Sequence, residues 1–249
     1  MSGHSKFKTI MHRKGAKDAK RAKLFTKVIR ELTVAARMGG GDATGNPRLR
    51  AAIAAARVAN LPKDTMERAV RRGAGDDESA NYEEIRYEGY GPGGVAIIVE
   101  ALTDNRNRAA ADIRTAFNKH GGSLGEANSV SFQFDRVGLV QYAAQKISEA
   151  AIFEAALEAG AGDVVSDETL HEITCAPQDF NAVRESLEGK FGPADSAGLT
   201  WKPKVTTPVS EEDTETLFRL IEALEDSDDV QTVSANYEIS DEAIARLSA

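Results

Sequence analysis

The chain has 249 residues, 41% apolar and 28% charged, with a formal net charge of −8. That length suits roughly one to three domains of about 100–150 residues, and the composition is ordinary for a protein with a packed core. A single cysteine, Cys175, excludes a disulfide framework or thiolate metal cluster within the chain. No apolar run nears the roughly 20 residues of a membrane helix, and the first residues lack the apolar stretch of a secretory signal. The expectation is a reducing, cytoplasmic setting with no membrane.

The net charge conceals a partition. Residues 1–75 carry 18 Lys and Arg against 5 Asp and Glu, whereas residues 76–249 carry 13 against 34. Like charges crowded into one short segment repel one another, so a basic head on an acidic body is most simply explained by a polyanionic partner. Nucleic acid is the obvious one. A solvated basic face is the alternative.

In chain order, residues 1–15 form a basic arm without periodicity. A helix is predicted over Lys17–Arg37, with Leu24, Phe25, Val28, Ile29, Leu32 and Ala36 in one arc and Lys20, Lys23, Lys27, Arg30 and Arg37 in another. Gly39-Gly40-Gly41 ends it. Asn46-Pro47 opens an Ala-rich second helix to about Ala59, with Asn as N-cap and Pro at the first helical position. Pro62 opens a third, closing at Arg71-Arg72-Gly73, where the two cations suit either the helix dipole or a phosphate contact and Gly73 supplies the terminal turn. Residues 75–81 read as a linker, at which the charge changes sign.

Beyond it, Glu84–Glu88 and Val95–Ala101 read as strands. The Gly-rich Gly89–Gly94 joins strand to strand rather than strand to helix, so it is expected to be a hairpin turn and not a phosphate loop. A helix from Asp104-Asn105 to Lys119 follows, ended by His120-Gly121-Gly122, then a strand at Val130–Asp135. Next come a strand at Gly138–Tyr142, a helix over Ser148–Gly160, strands at Asp163–Ser166 and His171–Cys175, a helix over Pro177–Gly189 and a strand at Leu199–Pro203. Strand-helix-strand-strand-helix-strand is the ferredoxin-like order. The tail reads as a strand at Lys204–Pro208, an acidic helix capped by Ser210, a strand at Val230–Tyr237 and a short helix after Ser240.

The fold expectation is therefore α+β in three domains. Residues 1–75 make an all-α head, 82–135 together with 204–239 make a discontinuous α+β unit, and 138–203 make a ferredoxin-like unit inserted in it.

Candidate nucleic-acid contacts are His4, Lys6, His12, Arg13, Lys14, Lys17, Lys20, Arg21, Lys23, Lys27 and Arg30, with Arg48, Arg50 and Lys63 behind them. Lys and Arg bind phosphates by charge, and Arg adds a forked two-bond geometry. His4 and His12 either add partial charge near a phosphate or are simply solvated. Only Phe7 and Phe25 are aromatic in the head, so a base-stacking platform is poorly supplied. The loop Gly39–Gly45 is long for a helix-turn-helix. Backbone and shape reading remain, and they suit structured RNA at least as well as duplex DNA.

His171 and Cys175 share one face of a strand but have no further ligand nearby in sequence, so no metal site is expected, and Cys175 reads as a small core residue. No nucleophile elbow, Walker loop or metal-binding helix occurs, so neither catalysis, a cofactor nor a small-molecule substrate is expected. The acidic runs at Glu211–Glu215 and Glu225–Asp229 read as solvated surface, the second with scope to repel stray nucleic acid or dock a basic protein.

Gly3-His4-Ser5-Lys6, His12-Arg13-Lys14, Asp18-Ala19-Lys20-Arg21, Asn46-Pro47-Arg48-Leu49-Arg50, Tyr90-Gly91-Pro92-Gly93-Gly94, Leu102-Thr103-Asp104-Asn105-Arg106 and Phe117-Asn118-Lys119-His120 closely resemble the YebC/PmpR family. The likeness spans the chain and is tightest to about residue 138. Phe7 and Phe132 stand where many or several members carry Trp. The resemblance implies a helical domain followed by two α+β domains and a non-enzymatic, cytoplasmic role in gene expression. The family's long-standing label is DNA-binding transcriptional regulator. It also includes the mitochondrial translational activator of cytochrome oxidase, which implies RNA binding at the ribosome, easing elongation through stretches such as proline runs.

Overall fold

The structure, a computed structural model, describes residues 17–75 and 81–239, with side chains from Arg21 onward. The head is three helices, α1 (Lys17–Gly39), α2 (Pro47–Val58) and α3 (Lys63–Ala74). Val28, Leu32, Ala35 and Ala36 of α1 pack with Leu49, Ala52 and Ala56 of α2, with Leu61 of the α2–α3 connection and with Ala69 of α3. Leu24, expected in that arc, is 46% exposed. The reason is length. α1 has 23 residues against 12 in each partner, hence about 35 Å against about 18 Å, so its N-terminal turns overhang the other two helices.

Two small residues set the head's geometry. Asn46 is buried; its side-chain oxygen accepts the Leu49 N–H (3.0 Å) while its amide donates to the carbonyls of Ala35 (2.7 Å) and Gly40 (2.9 Å). One side chain thus caps the start of α2 and the end of α1 together. Gly73 is not a terminal turn as expected but lies inside α3, buried where it crosses α1. A Cβ there would sit 2.1 Å from the Thr33 carbonyl oxygen, so the helices approach this closely only because the side chain is absent.

The body begins with β1 (Glu83–Tyr90) and β2 (Ala96–Thr103), paired antiparallel from Glu83↔Thr103 to Tyr90↔Ala96. Gly93 and Gly94 take positive φ in the turn between them, which is the expected hairpin. After α4 (Arg106–Lys119), β3 (Ser123–Leu124) adds to the outer side of β1. From the far end of the chain, after α7 (Glu211–Glu225), β9 (Val230–Ala235) adds to β2, giving the order β3-β1-β2-β9. Alternation along β2 serves two cores. Ile97 and Val99 meet Ile113, Phe117, Leu217 and Leu224 under the helices, while Ala96 and Ile98 face Val130, Phe134 and the half-buried Trp201.

The strand expected at Val130–Asp135 does not form. The buried Glu88 carboxylate accepts the N–H groups of Val130 and Ser131, both at 2.8 Å, so they are not offered to a neighbouring strand. A 3₁₀ turn (Ser131–Gln133) stands there, and β4 (Phe134–Ala143) starts late, running through the expected boundary between units. With α5 (Glu149–Glu158), β5 (Asp163–Ser166), β6 (Leu170–Cys175), α6 (Phe180–Phe191) and β7 (Ser196–Pro203), β4 builds an antiparallel sheet in the order β5-β6-β4-β7, which is ferredoxin-like.

The tail departs from its expectation in detail. Only β8 (Thr207–Pro208) remains of the first tail strand, pairing in parallel with β10 (Tyr237–Glu238). The last strand breaks at Asn236, which turns inward to accept the Ala96 N–H at 2.8 Å and donate to Gln133 at 3.1 Å. The helix expected after Ser240 lies outside the described residues.

Candidate nucleic-acid interface

Lys23, Lys27 and Arg30 of the α1 cation row do line up, but they face the protein's own acidic segment. Lys23 Nζ lies 2.9 Å from Asp226, and Lys27 Nζ donates to the Glu225 carbonyl at 2.7 Å. Arg30 donates to Asp229 (2.6 Å) and to the carbonyls of Asp228 (2.7 Å) and Leu102 (3.1 Å), with its guanidinium 5.4 Å from the Tyr82 ring centre. Residues 226–229 are the loop joining α7 to β9. A helix C-terminus leaves carbonyls unpaired and carries negative partial charge, so Lys27 and Arg30 meet α7 where a cation is favoured.

Asp229 is the buried centre of this contact. Arg108 reaches it from α4 at 3.0 Å and also holds Asp104 at 2.7 Å, so one carboxylate joins the head, α4 and β9. Burial lowers the pKa of Lys27, opposed by the negative charges of Glu225, Asp226 and Asp228. Between α1, α4 and the loop lies a cleft of about 660 Å³ lined by Lys23, Arg30, Arg108, Asp104, Asp226 and Asp228. Within Glu225–Asp229, expected as solvated surface, Asp226 and Asp228 are exposed, yet the carboxylates of Asp226 and Asp229 pair with cations of the head.

The other candidates divide. Arg48 forks onto Glu31 (2.7 and 3.0 Å) and pairs with Glu84; the hydrogen bonds to Glu31 outweigh its burial and hold it more firmly protonated than usual. Arg50 ties down the loop before α2 through the carbonyls of Ala43 (2.9 Å) and Thr44 (2.7 Å) and reaches Glu185 at 3.4 Å. Both therefore serve the architecture. Arg21 is exposed, over the Phe25 ring at 5.2 Å, and Lys63 is exposed beside Glu67 at 3.6 Å. Lys17 and Lys20 lie in the first turns of α1, their side chains outside the described set, and His4, Lys6, His12, Arg13 and Lys14 precede the described residues.

In the described part of the head, the exposed cations beyond the candidate set are Arg57 on α2 and Arg68, Arg71 and Arg72 on α3. The spacing 68, 71, 72 signals a shared helix face, on which Arg68 joins the two arginines weighed above. In the ferredoxin-like unit, the ring nitrogens of His171 are both engaged, with Ser166 Oγ at 2.7 Å and the Ile147 carbonyl at 2.9 Å. Cys175 is buried, and burial, with Asp179 nearby, pushes its thiol pKa up. No described helix is long and apolar enough to cross a membrane.

Fold and site together define a three-part α+β protein with a basic helical head strapped to an acidic two-sheet body. Residues 5–76 match the family model described as "TACO1/YebC protein N-terminal domain", and residues 82–237 match the one described as "TACO1/YebC second and third domain", whose short name denotes transcriptional regulation. The chain belongs to the TACO1/YebC family. Among solved structures it is similar to a conserved hypothetical protein, Aq1575, from Aquifex aeolicus, at 47% identity and a TM-score of 0.85, over 90% of this chain and 93% of that one.

Proposed function

We propose that this protein is a non-enzymatic, nucleic-acid-binding regulator of gene expression that acts on the ribosome, gripping ribosomal or transfer RNA phosphates with its head and easing stalled elongation, as on proline runs. The observation that carries the reading is the concentration of 18 cations in the first 75 residues. A second observation favours RNA shape over DNA sequence. Two of the three arginines of α2, the helix placed to read bases in a helix-turn-helix, are spent: Arg48 on Glu31 and Glu84, and Arg50 on Glu185 and loop carbonyls. What remains suits phosphate contact, which fixes position without reading sequence. The family's name supports the alternative, a DNA-binding transcriptional regulator.

The test uses the full chain and a variant carrying Lys20→Gln, Arg21→Gln and Lys23→Gln. Its affinity for a labelled RNA hairpin should fall about tenfold or more, and the slope of log affinity against log salt should drop by up to about 0.7–0.9 per lost phosphate contact. Unchanged affinity and slope would defeat the assignment. Ribosome profiling with and without the protein, alongside co-sedimentation, separates the two readings. Unchanged stalls together with a sharp footprint on duplex DNA would favour transcription.

A further inference from the structure

We propose that the α7–β9 loop is a latch, an internal polyanion that competes with nucleic acid for the cations of α1, so that binding exchanges one set of negative charges for another and releases the head from the body. The proposal rests on the reading of the head as a phosphate-binding module and names how that site is regulated.

Three observations carry it. First, the pairing is specific to the row. Lys23, Lys27 and Arg30 stand at helical spacing, and their partners, the Glu225 carbonyl at the end of α7 and Asp226, the Asp228 carbonyl and Asp229 in the loop after it, lie within five consecutive residues. Two carboxylates alternating with two carbonyl oxygens against a row of cations offer that row the kind of acceptors a phosphodiester backbone supplies. Second, the side-chain bonds that join head to body are polar. Each hydrophobic cluster among the described residues lies wholly within the head or wholly within the body. Ion pairs such as Lys23–Asp226, Arg48–Glu84 and Arg50–Glu185 cross instead, with Arg37 bonded to Asn81 at 2.9 Å. Surface pairs of this kind are individually weak and screened by salt, whereas an apolar interface is not. Third, the latch is partly open to solvent. The side chains of Lys23 and Asp226 are 37% and 52% exposed and border the cleft, so a phosphate can reach the outer pair before the buried Arg30–Asp229 pair has parted. Exchange can therefore begin at the outer pair.

The experiment compares three full-length proteins for affinity to a labelled RNA hairpin at low salt: wild type, the latch variant Asp226→Asn/Asp228→Asn, and the charge-matched control Glu154→Gln/Glu168→Gln on the ferredoxin-like unit. Losing one exposed ion pair and its neighbouring charge should tighten binding by the latch variant about three- to tenfold, and by the control less than about twofold. Opening is read separately. Trp201 is the only tryptophan and Cys175 is buried, so a dansyl acceptor on Val58→Cys reports energy transfer from body to head. Transfer should fall as RNA saturates the protein. If the latch variant binds no more tightly than the control, or RNA saturates with transfer unchanged, the latch is overturned. The glutamine triple variant described above keeps that outcome distinct: its loss of binding leaves the nucleic-acid reading standing even where the latch fails.

Discussion

Asn46 and Glu88 show how much organisation one buried polar side chain can impose. Asn46 joins two helices through three hydrogen bonds, so Asn46→Ala removes an N-cap and strands two carbonyls, at a cost of about 2–3 kcal/mol. Asn46→Asp keeps the cap but sets a carboxylate against those carbonyls and should rescue little. Urea unfolding of both variants checks this. For Glu88, burial alone would raise its pKa, but the N–H groups of Val130, Ser131 and Asn128 and the charge of Arg86 more than offset it, and the net shift is downward. A lowered folded pKa means its stabilisation is complete above the ordinary Glu value of about 4.3 and is lost as pH falls through the folded value. The urea midpoint of the wild type should therefore drop below about pH 4. In Glu88→Gln it should start lower at neutral pH and show a shallower acid decline. Equal acid slopes would remove the assigned role.

Among elements, the junction of α1 with the α7–β9 loop contains two pairs that ought to behave differently. Asp229 is buried between Arg30 and Arg108, so Asp229→Ala leaves two guanidiniums together without their anion and should cost about 3 kcal/mol. The Lys23–Asp226 pair is solvated, and Asp226→Asn should cost under about 1 kcal/mol. Denaturation of both variants at low and high salt tests the contrast. Salt should nearly erase the second effect and leave most of the first. Gly73 sets the other element-level constraint. Gly73→Ala drives a methyl group into the Thr33 carbonyl and should part α1 from α3, with a loss of about 2 kcal/mol or more.

At the scale of the whole molecule, the sheet β3-β1-β2-β9 joins strands more than a hundred residues apart, and Phe134 and Trp201 carry its second core across to the ferredoxin-like sheet. We propose that 82–135 and 204–239 fold as one unit. Expressed apart, each piece should show little ordered structure by circular dichroism, and mixing or fusing them should restore it. A fragment 204–249 that unfolds cooperatively by itself would refute that unit. The head differs because its cluster is complete without the body, so residues 1–75 should fold alone, with a lower midpoint.

Local pattern was sufficient for the described helices, the Asn46 and Ser210 N-caps, the Gly89–Gly94 hairpin and the ferredoxin-like order, because each depends on periodicity and turn chemistry within a few neighbouring residues. It was also sufficient for the separation of charge between head and body. The fate of those charges was not local. Whether Lys23, Lys27 and Arg30 face water, nucleic acid or Glu225–Asp229 depends on a contact between segments about 200 residues apart, and no periodicity encodes that. The same holds for Glu88, whose burial withdrew Val130 and Ser131 from a strand their side chains favoured. Composition and spacing determined which groups this protein has; three-dimensional packing decided which of them are already engaged, because an ion pair or a buried carboxylate is set by proximity in space.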